Sequence, residues 1–134
     1  MNFTKEYIKE CDCREIQGLR KEELNKGDYA EVNYDTVHFT AIAVQTGRFY
    51  NTSDYYWRHQ YIWLPTSGQL DDEIVKICIK ENYYYDITRS KGDEALWEAG
   101  VGEWADEEEG NLFSEVDHNP LIAKIKLLKQ LLDV

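Results

Sequence analysis

The residues between Gly92 and His118 include ten acids and no lysine or arginine, and three aromatic residues (Trp97, Trp104 and Phe113) are interleaved with them. The acids are Asp93, Glu94, Glu98, Glu103, Asp106, Glu107, Glu108, Glu109, Glu115 and Asp117. Carboxylates with aromatic anchors could bind the basic groove of another protein, as an inhibitor does when it occupies a site meant for phosphates. The alternative is a solvated acidic loop, the usual state of a charge run. If the run binds a partner, we expect the contacts at Glu103, Trp104, Asp106, Glu107, Glu108 and Glu109.

Two aromatic clusters, within residues 50–57 and 83–85, are the second candidate site. Successive residues of a strand point to opposite faces, so some of these rings must lie outside the core or under a helix. Exposed rings could stack on a nucleobase while a nearby arginine binds its phosphate. Such a nucleotide site would use Arg48, Tyr50, Tyr55, Tyr56, Trp57, Arg58, Tyr83 and Tyr85. The same rings could instead pack a sheet covered on both faces, or a homodimer interface.

The cysteines and histidines lack the spacing of a metal site. Cys11 and Cys13 are separated by one residue, whereas zinc knuckles use two, and no second pair is near in sequence. Cys78 falls on an apolar helix face, where we expect it to be core. No Gly-x-Ser-x-Gly, His-Glu-x-x-His or phosphate-binding glycine loop occurs. The sequence therefore predicts no catalytic residues, no metal and no cofactor, and a protein that acts by binding rather than as an enzyme.

Composition limits the class of protein and of partner. A chain of 134 residues with 43% hydrophobic residues predicts one folded domain over residues 1–134. No apolar run is long enough to span a bilayer, and the N-terminus lacks a signal-peptide profile. An odd number of cysteines, three, favours the reducing cytoplasm. The net charge of −11 argues against direct binding of nucleic acid or an anionic membrane and permits a basic protein partner.

The elements that would position these residues follow from local signals. Thr4 and Thr66 are N-cap candidates, and Asn119 followed by Pro120 predicts the start of the last helix. The predicted elements are a helix over 5–11, a shorter one within 14–23, a turn at 25–28, strands over 29–33, 37–45, 48–50 and 55–64, a helix over 66–80, a strand over 82–88, a helical turn within 94–99 and a helix over 119–133.

Both long helices are predicted to be amphipathic. In the first, Leu70, Ile74, Ile77 and Cys78 share one face, and Val75 and Ile79 extend the apolar arc. In the second, the predicted core stripe is Leu121, Ile125, Leu128 and Leu132. Lys124, Lys126 and Lys129 are predicted to complement the helix dipole.

Three segments carry a resemblance to a known group of proteins. Residues 63–75 read Trp-Leu-Pro-Thr-x-x-Gln-Leu-x-x-Glu-Ile-Val, the N-terminus reads Phe-Thr-Lys-Glu-Tyr-Ile over 3–8 and Glu-Ile-Gln-Gly-Leu-Arg over 15–20, and the C-terminus reads Asn-Pro-Leu-Ile-Ala-Lys-Ile-Lys-Leu-Leu-Lys-Gln-Leu-Leu over 119–132. Together they resemble small proteins encoded in phages and prophages of Gram-positive bacteria. The resemblance implies an origin and no particular chemistry.

These observations predict an α+β fold, with a mostly antiparallel sheet of about four or five strands packed by two main amphipathic helices. The predicted function is that of a phage or prophage accessory protein in the host bacterial cytoplasm. It would inhibit a host anti-phage defence system by presenting an acidic surface to a host protein with a basic surface. The alternatives are a protein that binds or sequesters a small nucleotide signal, and a phage structural or assembly factor.

Overall fold

The computed structural model describes residues 3–20, 24–34, 37–45, 48–49, 61–89, 95–104 and 110–133. Within these residues the fold is α+β, with antiparallel sheets and two main helices, as the sequence predicts. The chain divides into two compact units, Met1–Thr66 and Ser67–Val134. That residues 1–134 fold as one domain stays a prediction.

The first unit contains two short helices and a sheet of four described strands. The helices are α1 (Lys5–Cys11) and α2 (Arg14–Gln17). The strands are β1 (Tyr29–Tyr34), β2 (Val37–Gln45), β3 (Arg48–Phe49) and β4 (Tyr61–Leu64), which pair antiparallel in the order β3-β2-β1-β4. The part of the third predicted strand that precedes Tyr61 lies outside the described residues.

Helix α1 begins where the sequence predicts it, because the Thr4 hydroxyl accepts the Tyr7 N–H at 3.1 Å. Tyr7 is fully buried, its ring is stacked with that of Phe3, and its hydroxyl donates to the Pro65 carbonyl at 2.6 Å. This burial, followed by the proximity of Cys11, raises the pKa of Tyr7 far above its ordinary value. Tyr7 therefore joins the first helix to the segment that follows β4.

The side chain of Gln17 continues the hydrogen bonding of β4 beyond the strand. Its amide oxygen accepts the Trp63 N–H at 2.8 Å, and its Nε2 donates to the carbonyls of Trp63 (3.0 Å) and Cys11 (2.9 Å). Because a buried backbone group without a partner is costly, this one side chain stabilises the edge strand and fixes α2 against it.

The second unit is a three-stranded antiparallel sheet with two helices. Its elements are α3 (Ser67–Glu81), β5 (Tyr83–Arg89), β6 (Trp97–Glu103), β7 (Phe113–Asp117) and α4 (Pro120–Leu132), with strand order β5-β6-β7. Helix α3 contacts β5 and α4, and α4 contacts β6 and β7. Both helices therefore cover the same face of the sheet.

Local signals set the ends of these helices. Helix α3 begins directly after Thr66 and ends at Asn82, whose φ of 60° places it in the left-handed region that asparagine tolerates. Helix α4 begins at Pro120, and the side chain of Asn119 accepts the Leu121 N–H at 2.9 Å, as predicted.

Four details differ from the sequence predictions. The described strands form two sheets rather than one. Trp97 and the residues after it form strand β6 where a helical turn was predicted, and β7 was not predicted. On α3, Val75 and Ile79 are exposed, at 41% and 78%. On α4, Leu121 and Leu132 are half-buried; the fully or nearly fully buried residues are Ile122, Ala123, Lys124, Ile125, Leu127, Leu128 and Leu131.

Candidate binding surface on the three-stranded sheet

The face of the second sheet that points away from α3 and α4 is the candidate site. Strand alternation and the pairing register place on it Tyr84, Asp86, Thr88, Glu98, Gly100, Gly102, Ser114 and Val116. Trp104 and Asn111 join them through contacts with Tyr84 and Gly100. We call these ten residues the outer face. No lysine or arginine is among them.

Two glycines of β6 give the outer face its shape. A Cβ at Gly102 would lie 2.5–2.7 Å from atoms of Tyr84, and a Cβ at Gly100 would overlap the side-chain amide of Asn111. Each neighbouring side chain therefore lies directly against the β6 backbone, which only glycine permits. Both glycines are buried beneath these side chains. The result is a ring and an amide lying across the middle strand.

The aromatic part of the outer face is formed by Tyr84 and Trp104. Their ring centroids are 5.5 Å apart with an interplanar angle of 61°, an edge-on arrangement that is favourable for aromatic pairs. The Tyr84 hydroxyl also donates to the Gly110 carbonyl at 3.2 Å. Tyr84 is thus held on both sides, whereas Trp104 remains 55% exposed. A fixed tyrosine beneath an exposed indole makes Trp104 the most prominent apolar contact on this face.

Two carboxylates lie on the same face as the aromatic pair. Asp86 is exposed on β5, and Glu98 is half-buried on β6, with one oxygen 3.5 Å from the Asn111 amide nitrogen. Glu103, the last residue of β6, is exposed, but it pairs with Tyr83 and its side chain therefore belongs to the opposite face. Val116 (46% exposed) on the outer face and Leu112 (51% exposed) in the turn before β7 add apolar area. The arrangement suits contact with a cationic surface that also carries apolar groups.

Of the predicted partner-binding residues, the structure places Trp104 at this surface, whereas Glu103 pairs with Tyr83 on the opposite face. Glu103 and Trp104 lie at the end of β6, both exposed. Asp106, Glu107, Glu108 and Glu109 lie outside the described residues. Sequence reasoning missed Asp86, Glu98 and Tyr84 as members of the same surface. The signal that could have found them is the glycine at every second position, Gly100 and Gly102, which is typical of a strand approached closely by neighbouring side chains.

The residues predicted for a nucleotide site are not brought together by the described part of the chain. Arg48 lies in β3, and Tyr50, Tyr55, Tyr56, Trp57 and Arg58 lie outside the described residues. Tyr83 and Tyr85 lie on the face of β5 opposite to Tyr84. The hydroxyl of Tyr85 donates to Asp71 of α3 at 2.8 Å, and burial followed by this bond raises its pKa above the ordinary value. Tyr85 therefore packs beneath a helix, which confirms that some of these rings lie under one.

A buried lysine beside this tyrosine was also missed. Lys124 of α4 has a side chain only 9% exposed, and its ammonium lies 2.9 and 3.1 Å from the two Asp71 oxygens and 2.6 Å from the Ser67 hydroxyl. A serine next to a lysine could suggest nucleophilic catalysis, in which the lysine acts as a base. Here the Lys124 nitrogen pairs with Asp71 and donates to Ser67, so it links α4 to α3.

The other candidates are a buried cysteine and the residue types that bind metals. Cys78 is 5% exposed, and burial raises the pKa of its thiol, as expected of a core cysteine. Among the described residues, no group of three or more histidine, cysteine, aspartate or glutamate side chains could hold a metal ion. None of the described helices has both the length and the apolar character needed to cross a membrane.

Comparisons with known proteins give no family to which the chain can be assigned. No protein-family model, no curated protein and no solved structure matches it.

Proposed function

We propose that this protein acts by binding another protein through the outer face, and that the partner presents a basic surface. The observation that supports this most directly is the exposed indole of Trp104, held against Tyr84 and bordered by carboxylates with no cation among the outer-face residues. Tryptophan and tyrosine are enriched at the energetic centres of interfaces. The charge around them suits a lysine- or arginine-rich partner.

The biological role that fits this surface is inhibition of a host anti-phage defence protein. Effectors that act on nucleic acid carry basic grooves for phosphates, and a carboxylate surface competes for such grooves. The resemblance to phage and prophage proteins supports the same role. The proposed location is the cytoplasm of the host bacterium, which agrees with three free cysteines in the described chain. This proposal assigns the protein no catalysis and no cofactor.

The test compares two variants that change the charge equally at different places. The surface variant carries Asp86→Asn and Glu98→Gln, the two carboxylates of the outer face. The control variant carries Asp72→Asn and Glu81→Gln, two exposed acids on helix α3. Each is expressed in defended Gram-positive hosts, and phage plaque formation is counted.

We expect the native protein and the control variant to restore plaque formation, and the surface variant to lose at least tenfold in that activity. Because contacts between exposed charges are screened beyond about 10 Å at 0.1 M salt, binding to the isolated partner should weaken steeply as salt rises. Full protection by the surface variant would refute the outer face as the binding site. Failure of the native protein to protect any defended host would refute defence inhibition.

A further inference from the structure

Two of the three described tryptophans have an arginine side chain close to the ring, and the third does not have one among the described residues. The guanidinium carbon of Arg20 lies 4.6 Å from the ring centroid of Trp63, and Arg20 also lies 3.6 Å from an oxygen of Asp28. The guanidinium of Arg89 lies 5.6 Å from the Trp97 ring. Within the described residues, Trp104 has no such cation, although it is the most exposed of the three.

The surroundings of Trp104 supply the other parts of the same arrangement. Arg20 is held by an indole face and a carboxylate together, in one place. Trp104 has an indole that is 55% exposed, and the face on which it lies also carries the carboxylates of Asp86 and Glu98. A guanidinium suits this combination better than an ammonium, because its planar group stacks on the ring while its N–H groups bind a carboxylate.

From this we infer that the partner contributes an arginine side chain, whose guanidinium stacks on Trp104 and pairs with a carboxylate of the outer face. This inference rests on the proposed function, since it assumes that the outer face binds a basic protein, and it adds the chemical identity of the central contact. The recognised group is arginine rather than lysine. Tyr84 acts as a positioning residue, because it holds the indole through the edge-on contact and is itself held by Gly110.

The experiment uses two peptides of equal length and equal charge in a glycine–serine background, one with arginine and one with lysine at the same positions. Binding to the full chain is measured by titration calorimetry at low salt. We expect the arginine peptide to bind about 5-fold more tightly than the lysine peptide. Trp104→Leu should reduce the arginine peptide to the affinity of the lysine peptide. Ile79→Ala, another exposed apolar position, should change neither affinity.

A second readout guards against loss of structure in the Trp104→Leu variant. In the native protein, the indole N–H resonance of Trp104 should shift on addition of the arginine peptide more than on addition of the lysine peptide. Equal affinities for the two peptides, or a Trp104 resonance that does not shift, would refute the arginine contact without refuting the outer face as the binding surface. Failure of both peptides to bind, or unchanged binding by the variant with Asp86 and Glu98 neutralised, would refute the surface itself.

Discussion

The ion pair between Lys124 and Asp71 should respond asymmetrically to removal of its two partners. The Lys124 side chain is 9% exposed, whereas that of Asp71 is 39% exposed and also accepts a hydrogen bond from Tyr85 at 2.8 Å. Without Asp71, a cation stays buried with only the Ser67 hydroxyl as a near partner. Without Lys124, the carboxylate keeps its tyrosine donor and can be hydrated. Substituting Asp71 should therefore lower the free energy of unfolding more than substituting Lys124.

The magnitudes follow from these exposures. Breaking a buried pair by leaving one charge uncompensated costs about 3–5 kcal/mol, and the lower end applies because Asp71 is partly hydrated. We therefore expect Asp71→Asn to lower the free energy of unfolding by about 3 kcal/mol. Lys124→Met fills the same space with an apolar side chain of similar length, so it should lower the free energy of unfolding by about 1 kcal/mol or less. The double variant should resemble Lys124→Met, since the buried cation is then absent.

Urea unfolding at neutral pH measures all three variants, with the slope on denaturant checked for constancy. Lys76→Met is the matched control, because Lys76 pairs with Glu73 at 3.0 Å but is 71% exposed. Such a surface pair contributes about 0.5 kcal/mol or less. Equal losses for Asp71→Asn and Lys124→Met, or a larger loss for Lys124→Met, would show that the difference in burial does not control the energetics of this pair.

Three further predictions test the core, the buried tyrosine and the glycine strand. Leu128→Ala should lower the free energy of unfolding by about 2–5 kcal/mol because Leu128 is fully buried, and Leu121→Ala should lower it clearly less because Leu121 is half-buried. Equal losses of stability in thermal unfolding would contradict the packing of α4. Folding raises the pKa of Tyr7 above its ordinary 10.0, so the stability that Tyr7 contributes is complete below pH 10 and declines above it. Tyr7→Phe should therefore make the free energy of unfolding, measured with urea at a series of alkaline pH values, fall less steeply as pH rises. An unchanged dependence on pH would show that Tyr7 does not cause the alkaline loss of stability. Gly102→Ala should lower stability by about 1–3 kcal/mol because the new methyl group displaces the Tyr84 ring. Gly68→Ala, which has open space at its Cβ, should be neutral or stabilising. Similar melting temperatures for the two variants would contradict the close contact between Tyr84 and the β6 backbone.

Elements with a local signal were predicted well from the sequence. Thr4 and Asn119 cap their helices through their own side chains, and β2 has the predicted bounds because its aromatic and β-branched residues favour a strand. The turn before β1 was also predicted: the Asp28 N–H donates to the Asn25 carbonyl at 3.0 Å, and Gly27 supplies a φ of 96°. In each case the residues that decide the structure are neighbours in sequence.

Features that depend on distant residues were not predictable in this way. Lys124 was predicted to complement a helix dipole, but its partner Asp71 is 53 residues earlier in the chain. The core stripe of α4 was predicted too narrowly, as four residues at alternating spacings of four and three that begin at Leu121. Helix α4 contacts both α3 and the sheet, so it buries a wider arc, which includes Ile122 and Leu131.

Strand β6 was not predicted from the sequence, and it also forms the middle of the candidate site. Gly100 and Gly102 lower the strand propensity of this segment, whose first residues were predicted to belong to a helical turn within 94–99. The same glycines admit Asn111 and Tyr84 against the backbone, and Tyr84 in turn supports the exposed ring of Trp104. The acidic run was recognised from sequence because charge is a property of composition. The arrangement of Tyr84, Glu98 and Trp104 on one face was not recognised, because it depends on two glycines that leave room for neighbouring side chains against β6. Substitution at Gly102 should therefore weaken partner binding as well as stability, even though glycine itself offers no group for a partner to contact.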